Sequence, residues 1–318
     1  MPMNQAISNV NRRGFLQKTA ALTAAGGLAP GSFGQVCSAR DGTVRDRIWI
    51  FANPANGDYN FVRKRSVMTP LEACVYMGAP NLLMVNQYPG EDQVARFGEE
   101  GKYKAFEPPY AQYAYSLKVL KRVVWSIVGA GGITRDEERR QVLELARTTP
   151  NIVGLFMDDF FTDRKSGKLA SLTLDQVRDV QRQLKQSSKK LDLYVTLYTR
   201  QLDPAIQEYL SMIDVVTLWT WETAEMENLE ANLAKLERLA PKSRKLLGCY
   251  TSDYDPKRTP WWTALPVPIM KKQCETGLKW LKQGRIDGII IYGTAMDLGW
   301  DSVDWAREWV QKAGDQKL

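Results

Sequence analysis

The sequence predicts an α/β fold, a (β/α)8 barrel forming a single domain behind an N-terminal signal segment. Three observations predict it. From about residue 47 onward, eight short apolar runs alternate with amphipathic stretches. The runs are almost continuously apolar, as expected of parallel strands buried on both faces. About 270 residues carry the pattern, the usual size of such a barrel. A doubly wound open sheet normally has fewer strands, and no GxGxxG follows the first run. No internal repeat and no linker divides the region.

The elements follow in order. Strands are expected at 48–53, 82–88, 123–128, 152–158, 193–198, 215–221, 246–250 and 286–292. The first helix is expected around 70–77 and the second over 110–120. The glycine-rich stretch Gly129–Gly132 follows the third strand but lacks a Walker Lys-Ser/Thr, so it reads as a βα turn. Thr134 and Glu137 have the spacing of a capping box, opening a helix whose apolar face carries Val142, Leu143, Leu145 and Ala146. Thr173 and Gln176 open the next helix in the same way. The pattern at 204–212 is barely two turns long. Over 225–239, Leu229, Leu233, Leu236 and Leu239 recur at helical spacing. The stretch 268–281 carries Met270, Leu278 and Leu281, and 302–312 completes the set. The longest stretch without a pattern, 89–107, is expected to form a lid or a subsite wall.

Residues 1–39 read as an address. Arg12 and Arg13 precede Phe15-Leu16 and a modestly apolar, Ala/Gly-rich stretch. This resembles a twin-arginine (Tat) signal, which exports proteins already folded, and implies a periplasmic or secreted protein. Gly26, Gly27, Pro30, Gly31 and Gly34 argue against a helix of the domain itself. Cleavage fits after Cys37-Ser38-Ala39. A lipoprotein would anchor Cys37, but Gln35 and Val36 lack the usual small residue. The domains are therefore 1–39, signal, and 40–318, catalytic barrel. No later apolar run reaches the roughly 18–20 residues that a membrane span needs.

Composition removes several function classes. The chain is 44% hydrophobic and 25% charged, close to globular averages. Its net charge is +7, and Arg12, Arg13 and Lys18 lie in the signal, so no nucleic-acid partner is expected. There is no histidine. A Ser-His-Asp triad, a Cys-His pair, HExxH zinc and haem on a proximal histidine are all excluded. Cys37, Cys74, Cys249 and Cys274 form no CxxC; Cys37 leaves with a cleaved signal, and the other three read as buried thiols, a bridge being the alternative where geometry permits.

In such barrels chemistry sits at the C-terminal ends of the strands. There this chain places Asn53 and Asn56, then Asn86, Gln87 and Tyr88, then Asp158, Asp159 and Asp163. Tyr198 and Arg200 follow, then Trp219, Trp221 and Glu222. The seventh end brings Tyr250, Asp253, Tyr254, Asp255, Trp261 and Trp262, and the eighth Tyr292, Asp297, Trp300 and Asp301. Asp158 and Asp159 end an apolar run, where a charge must be solvated, paired or used. Adjacent strand residues face opposite ways. If Gly154 and Phe156 point inward, Asp158 joins them and Asp159 caps the next loop or binds an arginine. The alternative makes both acids loop caps. Glu222 ends the sixth run between strand and helix, and the indoles of Trp219 and Trp221 would keep it protonated, as a general acid needs. Its alternative is a first-turn acid at the helix starting near Ala224.

Sugar chemistry fits this inventory. Glycoside cleavage needs two carboxyls but no histidine, metal or other cofactor. The expected catalytic residues are Asp158, Asp159 and Glu222. The expected substrate contacts are Asn53, Asn86, Tyr198, Arg200, Trp219, Trp221, Tyr250, Asp253, Trp261, Trp262, Tyr292 and Asp297, with Trp125, Trp280 and Trp305 left to the core. Gly154-Leu-Phe-Met-Asp158-Asp159-Phe-Phe161 resembles the fourth-strand acid motif of TIM-barrel glycoside hydrolases. Carboxyls at strands four and six are similar to the α-galactosidase-like clan. That resemblance implies an oligosaccharide or polysaccharide substrate, Asp158 as nucleophile and Glu222 as acid/base. The clan's Lys-Tyr-Asp is Phe156-Met157-Asp158 here, and its acid/base is usually Asp. Two other readings use the same residues: an all-oxygen Mg²⁺ or Ca²⁺ site on Asp158, Asp159, Glu222 and Asp253, and a non-catalytic carbohydrate-binding barrel.

Overall fold

The computed structural model describes residues 42–53, 66–86, 108–162, 168–255, 257–258, 262–293 and 296–318. The expected signal, Cys37, Asn56, Gln87, Tyr88, the 89–107 stretch, Asp163 and Trp261 lie outside them. Parallel strands β1 (Ile48–Ala52), β2 (Asn81–Met84), β3 (Arg122–Val128), β4 (Ile152–Met157), β5 (Asp192–Tyr198), β6 (Val215–Trp219) and β7 (Arg244–Cys249) follow one another around a sheet. A short antiparallel hairpin of β8 (Ser252–Tyr254) and β9 (Trp262–Ala264) interrupts the alternation after β7. Strand β10 (Gly288–Tyr292) then pairs with both β7 and β1 and closes the (β/α)8 barrel.

Helices α1 (Pro70–Met77), α2 (Tyr110–Ser116), α3 (Asp136–Thr148), α4 (Leu174–Lys185), α5 (Gln207–Leu210), α6 (Leu229–Leu239), α7 (Val267–Lys282) and α8 (Asp301–Ala313) lie between or after the strands. Thr173 and Gln176 make the reciprocal cap expected at α4. Thr134 does not cap α3. Its hydroxyl donates to Ile127 O at 2.7 Å, so the helix starts later, after Arg135. The stretch before α6 is a 3₁₀ helix, Thr223–Asn228. Strand six ends at Trp219 rather than at 221, and β2 ends at Met84.

Strand alternation sorts the core into two shells. Ile48, Ile50, Leu82, Val123, Leu155, Leu193 and Leu247 face the helices. Trp49, Phe51, Leu83, Val124, Phe156, Tyr194, Trp219, Leu246 and Ile290 fill the barrel. The inner shell is unusually aromatic, and two glycines make room for it. A β-carbon at Gly154 would lie 2.7 Å from the Tyr194 ring, and one at Gly248 2.1 Å from the Trp219 indole. The Trp219 N–H donates to Thr217 Oγ1 at 2.9 Å, which satisfies its one polar atom. Cys74, Cys249 and Cys274 are buried free thiols. Among the described residues no helix is long and apolar enough to cross a membrane.

Candidate active site

The site begins where β4 ends. Phe156 points into the barrel, and the alternation carries Asp158 inward after it. Asp158 is 4% exposed, and one carboxylate oxygen accepts from Thr196 Oγ1 on β5 at 2.9 Å. Its own N–H donates to Val128 O at 2.9 Å, so the backbone is still held against β3. Asp159 departs from the alternation. It has φ +43°, the one positive φ of a non-glycine residue among the described residues. Aspartate tolerates this left-handed region better than most residues, at a cost of about 1 kcal/mol or more. The turn brings its carboxylate to the mouth as well. There it accepts from Gly131 N at 2.7 Å and from the Tyr198 hydroxyl. The expectation that only one of the two acids could reach the mouth is therefore corrected. Among the described residues Asp159 pairs with no arginine, and its carboxylate bonds the turn after β3 rather than the loop that follows it.

Burial and the neighbouring Asp159 charge push the Asp158 carboxyl well above the usual carboxylate range, against a smaller opposing pull from Thr196. Asp158 thus keeps a proton where an ordinary aspartate has lost it. Burial, reinforced by the same acids, also raises the Tyr198 and Tyr250 phenols. The floor of the mouth is therefore two phenols and two adjoining carboxyls.

Aromatic rings from four neighbouring elements wall this floor. Trp221, just beyond β6, lies 5.2 Å from the Tyr198 ring, 4.7 Å from Tyr254 and 6.0 Å from Trp262. Trp262 and Tyr292 are parallel within 7°, with centroids 6.3 Å apart. The hairpin β8–β9 supplies Tyr254 and Trp262, so the interruption after β7 builds part of the wall. The Arg200 guanidinium lies 4.6 Å from the centroids of both Tyr198 and Trp221. Tyr250 is fixed from behind. Gln273 on α7 accepts from its N–H and donates to its carbonyl, both at 3.1 Å. Thr251 donates to Tyr292 O at 3.2 Å, and Ser302 on α8 to Thr251 O at 2.8 Å.

Other expected site residues stand elsewhere. Trp219 is 1% exposed and belongs to the barrel core beneath the mouth, so it offers no surface to a ligand. Asn53 and Asn86 are buried; Asn53 Nδ2 donates to Val85 O at 3.4 Å, and Asn86 N to Ser126 Oγ at 2.8 Å. Asp253 accepts from Thr223 and pairs with Arg258 at 3.1 Å, which braces the hairpin. Asp297 accepts from Val67 N at 2.7 Å and Met68 N at 3.2 Å, clasping the chain ahead of α1. Glu222 is exposed. The alternation that turns Trp219 and Trp221 inward turns Glu222 outward, so the indoles do not enclose it. It lines a 270 Å³ cleft with Arg200, Trp221 and Glu225. Among the described residues no three acids or thiols gather as metal ligands, so the four-acid cation site is not assembled.

Thr196, Gly131 and Gln273 were not singled out from the sequence. Thr196 was visible in principle, since it alternates with Tyr194 and Tyr198. Gln273 was visible as a polar residue on the apolar face of α7, between Met270 and Gly277.

No protein-family model matches the chain, and no curated protein matches it in sequence. Solved structures match it in shape. Active domain 2 of a thermostable chitinase from Pyrococcus furiosus, in complex with chito-oligosaccharides, superposes with a TM-score of 0.54 at 13% identity, covering 86% of this chain and 95% of that one. A fucosidase-like protein from Bacteroides thetaiotaomicron gives 0.51 at 11% identity, over 88% and 98%. A xylanase-A-amylase inhibitor protein, XAIP-III, gives 0.50 at 11%, over 84% and 98%. At these identities the likeness is one of fold, and it spans carbohydrate-cleaving enzymes and an inhibitor protein.

Proposed function

We propose that the mouth of this barrel binds a carbohydrate and hydrolyses a glycosidic bond. The observation that carries the reading is the Asp158–Asp159 pair on the floor of an aromatic-walled mouth, at the pole where such barrels hold their chemistry. Sugar rings stack through their C–H faces on Trp221, Trp262 and Tyr292. Asp159 is the more accessible acid and meets the reacting carbon as nucleophile or base, with Gly131 N–H and Tyr198 O–H fixing its direction. Asp158 lies behind it. Its carboxyl is held by Thr196 and backs the neighbouring acid. The resemblance that gave Asp158 the nucleophile's role is thus refined to its neighbour. Glu222, which lines the neighbouring cleft with Arg200 and Trp221, is the second carboxyl of the pair and the one offered as proton donor to the leaving oxygen.

The test starts with a panel of aryl glycosides, including an α-L-fucoside and an N-acetyl-β-glucosaminide, together with chito-oligosaccharides. On a sugar that is turned over, Asp159→Asn and Glu222→Gln should each lose roughly 10²–10⁴-fold in rate. On the aryl glycoside Glu222→Gln should lose less, because a good leaving group needs little protonation. Near-full turnover in both variants refutes the assignment. Sugars that bind without release of any reducing end make this a carbohydrate-binding barrel, the reading that the near-complete burial of Asp158 favours.

A further inference from the structure

Two thiols stand side by side behind the Tyr250 wall. On β7 the alternation that sends Leu246 into the barrel sends Leu247 and Cys249 out toward the helices. Helix α7 covers that face closely. A β-carbon at Gly277 would lie 3.2 Å from Leu247 Cδ2 and 3.0 Å from Ile289. Met270, Gln273, Cys274 and Gly277 belong to the buried side of the helix, at spacings of three and four. Gln273 is hydrogen-bonded to the Tyr250 backbone through both ends of its amide. Cys274 is the residue after Gln273 and Cys249 the residue before Tyr250, so this clasp fixes the two cysteines as neighbours.

Both thiols are fully buried. Burial raises the Cys274 thiol most, and Cys249 raises it next, as a hydrogen-bond partner and as a neighbouring charge. Cys74 shows how an isolated thiol looks in this fold. Its Sγ donates to Asn81 O at 3.8 Å, and burial alone raises it. The chain between Cys249 and Cys274 carries the β8–β9 hairpin, and with it Tyr254 and Trp262 of the mouth wall. A bond between the two sulfurs therefore closes the loop at the base of that hairpin.

We propose that Cys249 and Cys274 are an oxidation site, a dithiol that closes to a disulfide and staples α7 to β7 at the base of the hairpin. The electron acceptor is a small-molecule disulfide. One cysteine, as thiolate, attacks a sulfur of that disulfide, forms a mixed disulfide and releases the first small thiol. The other cysteine, as thiolate, attacks the protein sulfur of the mixed disulfide, forms the S–S bond and releases the second. Two protein thiols lose two hydrogens, and one small disulfide becomes two small thiols. Neither cysteine meets solvent in the closed fold, so exchange waits on a local opening of α7. The same burial shields the finished bond from reductants. No step uses the sugar chemistry of the mouth, so neither reading stands or falls with the other.

The experiment incubates the full protein with oxidised glutathione at about pH 8.5, the ordinary thiol value. One arm adds urea to about half the unfolding midpoint, which speeds local opening while the native state still dominates. Remaining thiols are then capped in denaturant, and non-reducing peptide mapping reads the links. The expected result is a peptide joining 249 to 274 in a protein two hydrogens lighter. Its Tm should rise by about 5–10 °C and fall back on full reduction. Cys274→Ala should show neither link nor rise, and Cys74→Ala should show both. The mapping of the wild-type protein stands even where a variant fails to fold. Cys249 and Cys274 both found capped in both arms overturns the proposal, and so does a link made through Cys74 instead. A linked protein whose Tm does not rise overturns it as well, because a strained bond is no staple.

Discussion

Replacing Gly248 with alanine adds one methyl group to the barrel and should be among the most damaging small changes in the chain. The added carbon would lie 2.1, 2.3 and 2.4 Å from three atoms of the Trp219 indole. Carbon atoms settle about 3.5–4.0 Å apart, so ring or strand must yield by more than an ångström. The ring cannot swing freely. Phe51 and Tyr250 hold it at centroid distances of 5.3 and 5.0 Å, and its N–H is tied to Thr217. The strand is held too, since Gly248 is in register with Ile290. Overpacking costs about 1–3 kcal/mol, and a displaced ring forfeits aromatic contacts and a hydrogen bond worth about 1 kcal/mol each. A loss of about 3–5 kcal/mol follows, or a fall in Tm of about 10 °C. Urea and thermal unfolding measure it. Trp219→Leu in the same background should recover part of the loss, because it removes the atoms that the methyl meets. A Gly248→Ala protein melting within about 1 °C of wild type would show that the inner shell is not packed as described.

Glu138 on α3 is 5% exposed with Oε1 unpartnered, and burial raises its carboxyl to about 7. Because the folded value lies above the unfolded one of 4.5, its contribution to stability is full below pH 4.5 and is lost as pH rises through 7. Glu138→Gln should therefore match wild type near pH 4.5 and exceed it by about 1–3 kcal/mol at pH 8 in urea midpoints; equal gaps at both pH values would contradict this. Truncation before residue 286 removes β10 and α8 and leaves β1 and β7 as open edges, so calorimetry should show no cooperative melt. We propose that Arg12 and Arg13 direct export, so the double substitution Arg12→Lys, Arg13→Lys should leave folded protein in the cytoplasm; normal export of that variant, seen by cell fractionation, would refute the twin-arginine reading.

The barrel was legible because its signal is repeated. Eight apolar runs each bury both faces, and a boundary error of two residues in one leaves the count unchanged. The hairpin after β7 was not legible. Three residues each of β8 and β9 are too few to show a period, and they pair only with each other. The mouth was read by alternation, and Asp158 and Trp221 continue the inward set of Phe156 and Trp219 just past their strands' ends. It failed at Asp159, whose left-handed backbone has no signature that distinguishes it from any Asp-Asp pair. Glu222 and Trp219 show the opposite limit. An acid between indoles in sequence is not between them in space, because the strand sends neighbours to opposite faces. Asp297 reads like a rim ligand but spends its carboxylate on two backbone N–H groups from a segment more than two hundred residues earlier.

The grip of Gln273 on Tyr250 ties an outer helix to the inner wall. Both ends of one side-chain amide are hydrogen-bonded to the N–H and C=O of a single residue, which couples α7 to that tyrosine. The solvent face of α7 is therefore a remote handle on the mouth. Lys272 on that helix pairs with Glu227 in the segment before α6 at 2.6 Å, so the same helix also touches the segment that follows Trp221. Variation far from any substrate can then retune the pocket, and an engineer who wants to reshape it without touching its carboxyls can begin on the outside of the barrel.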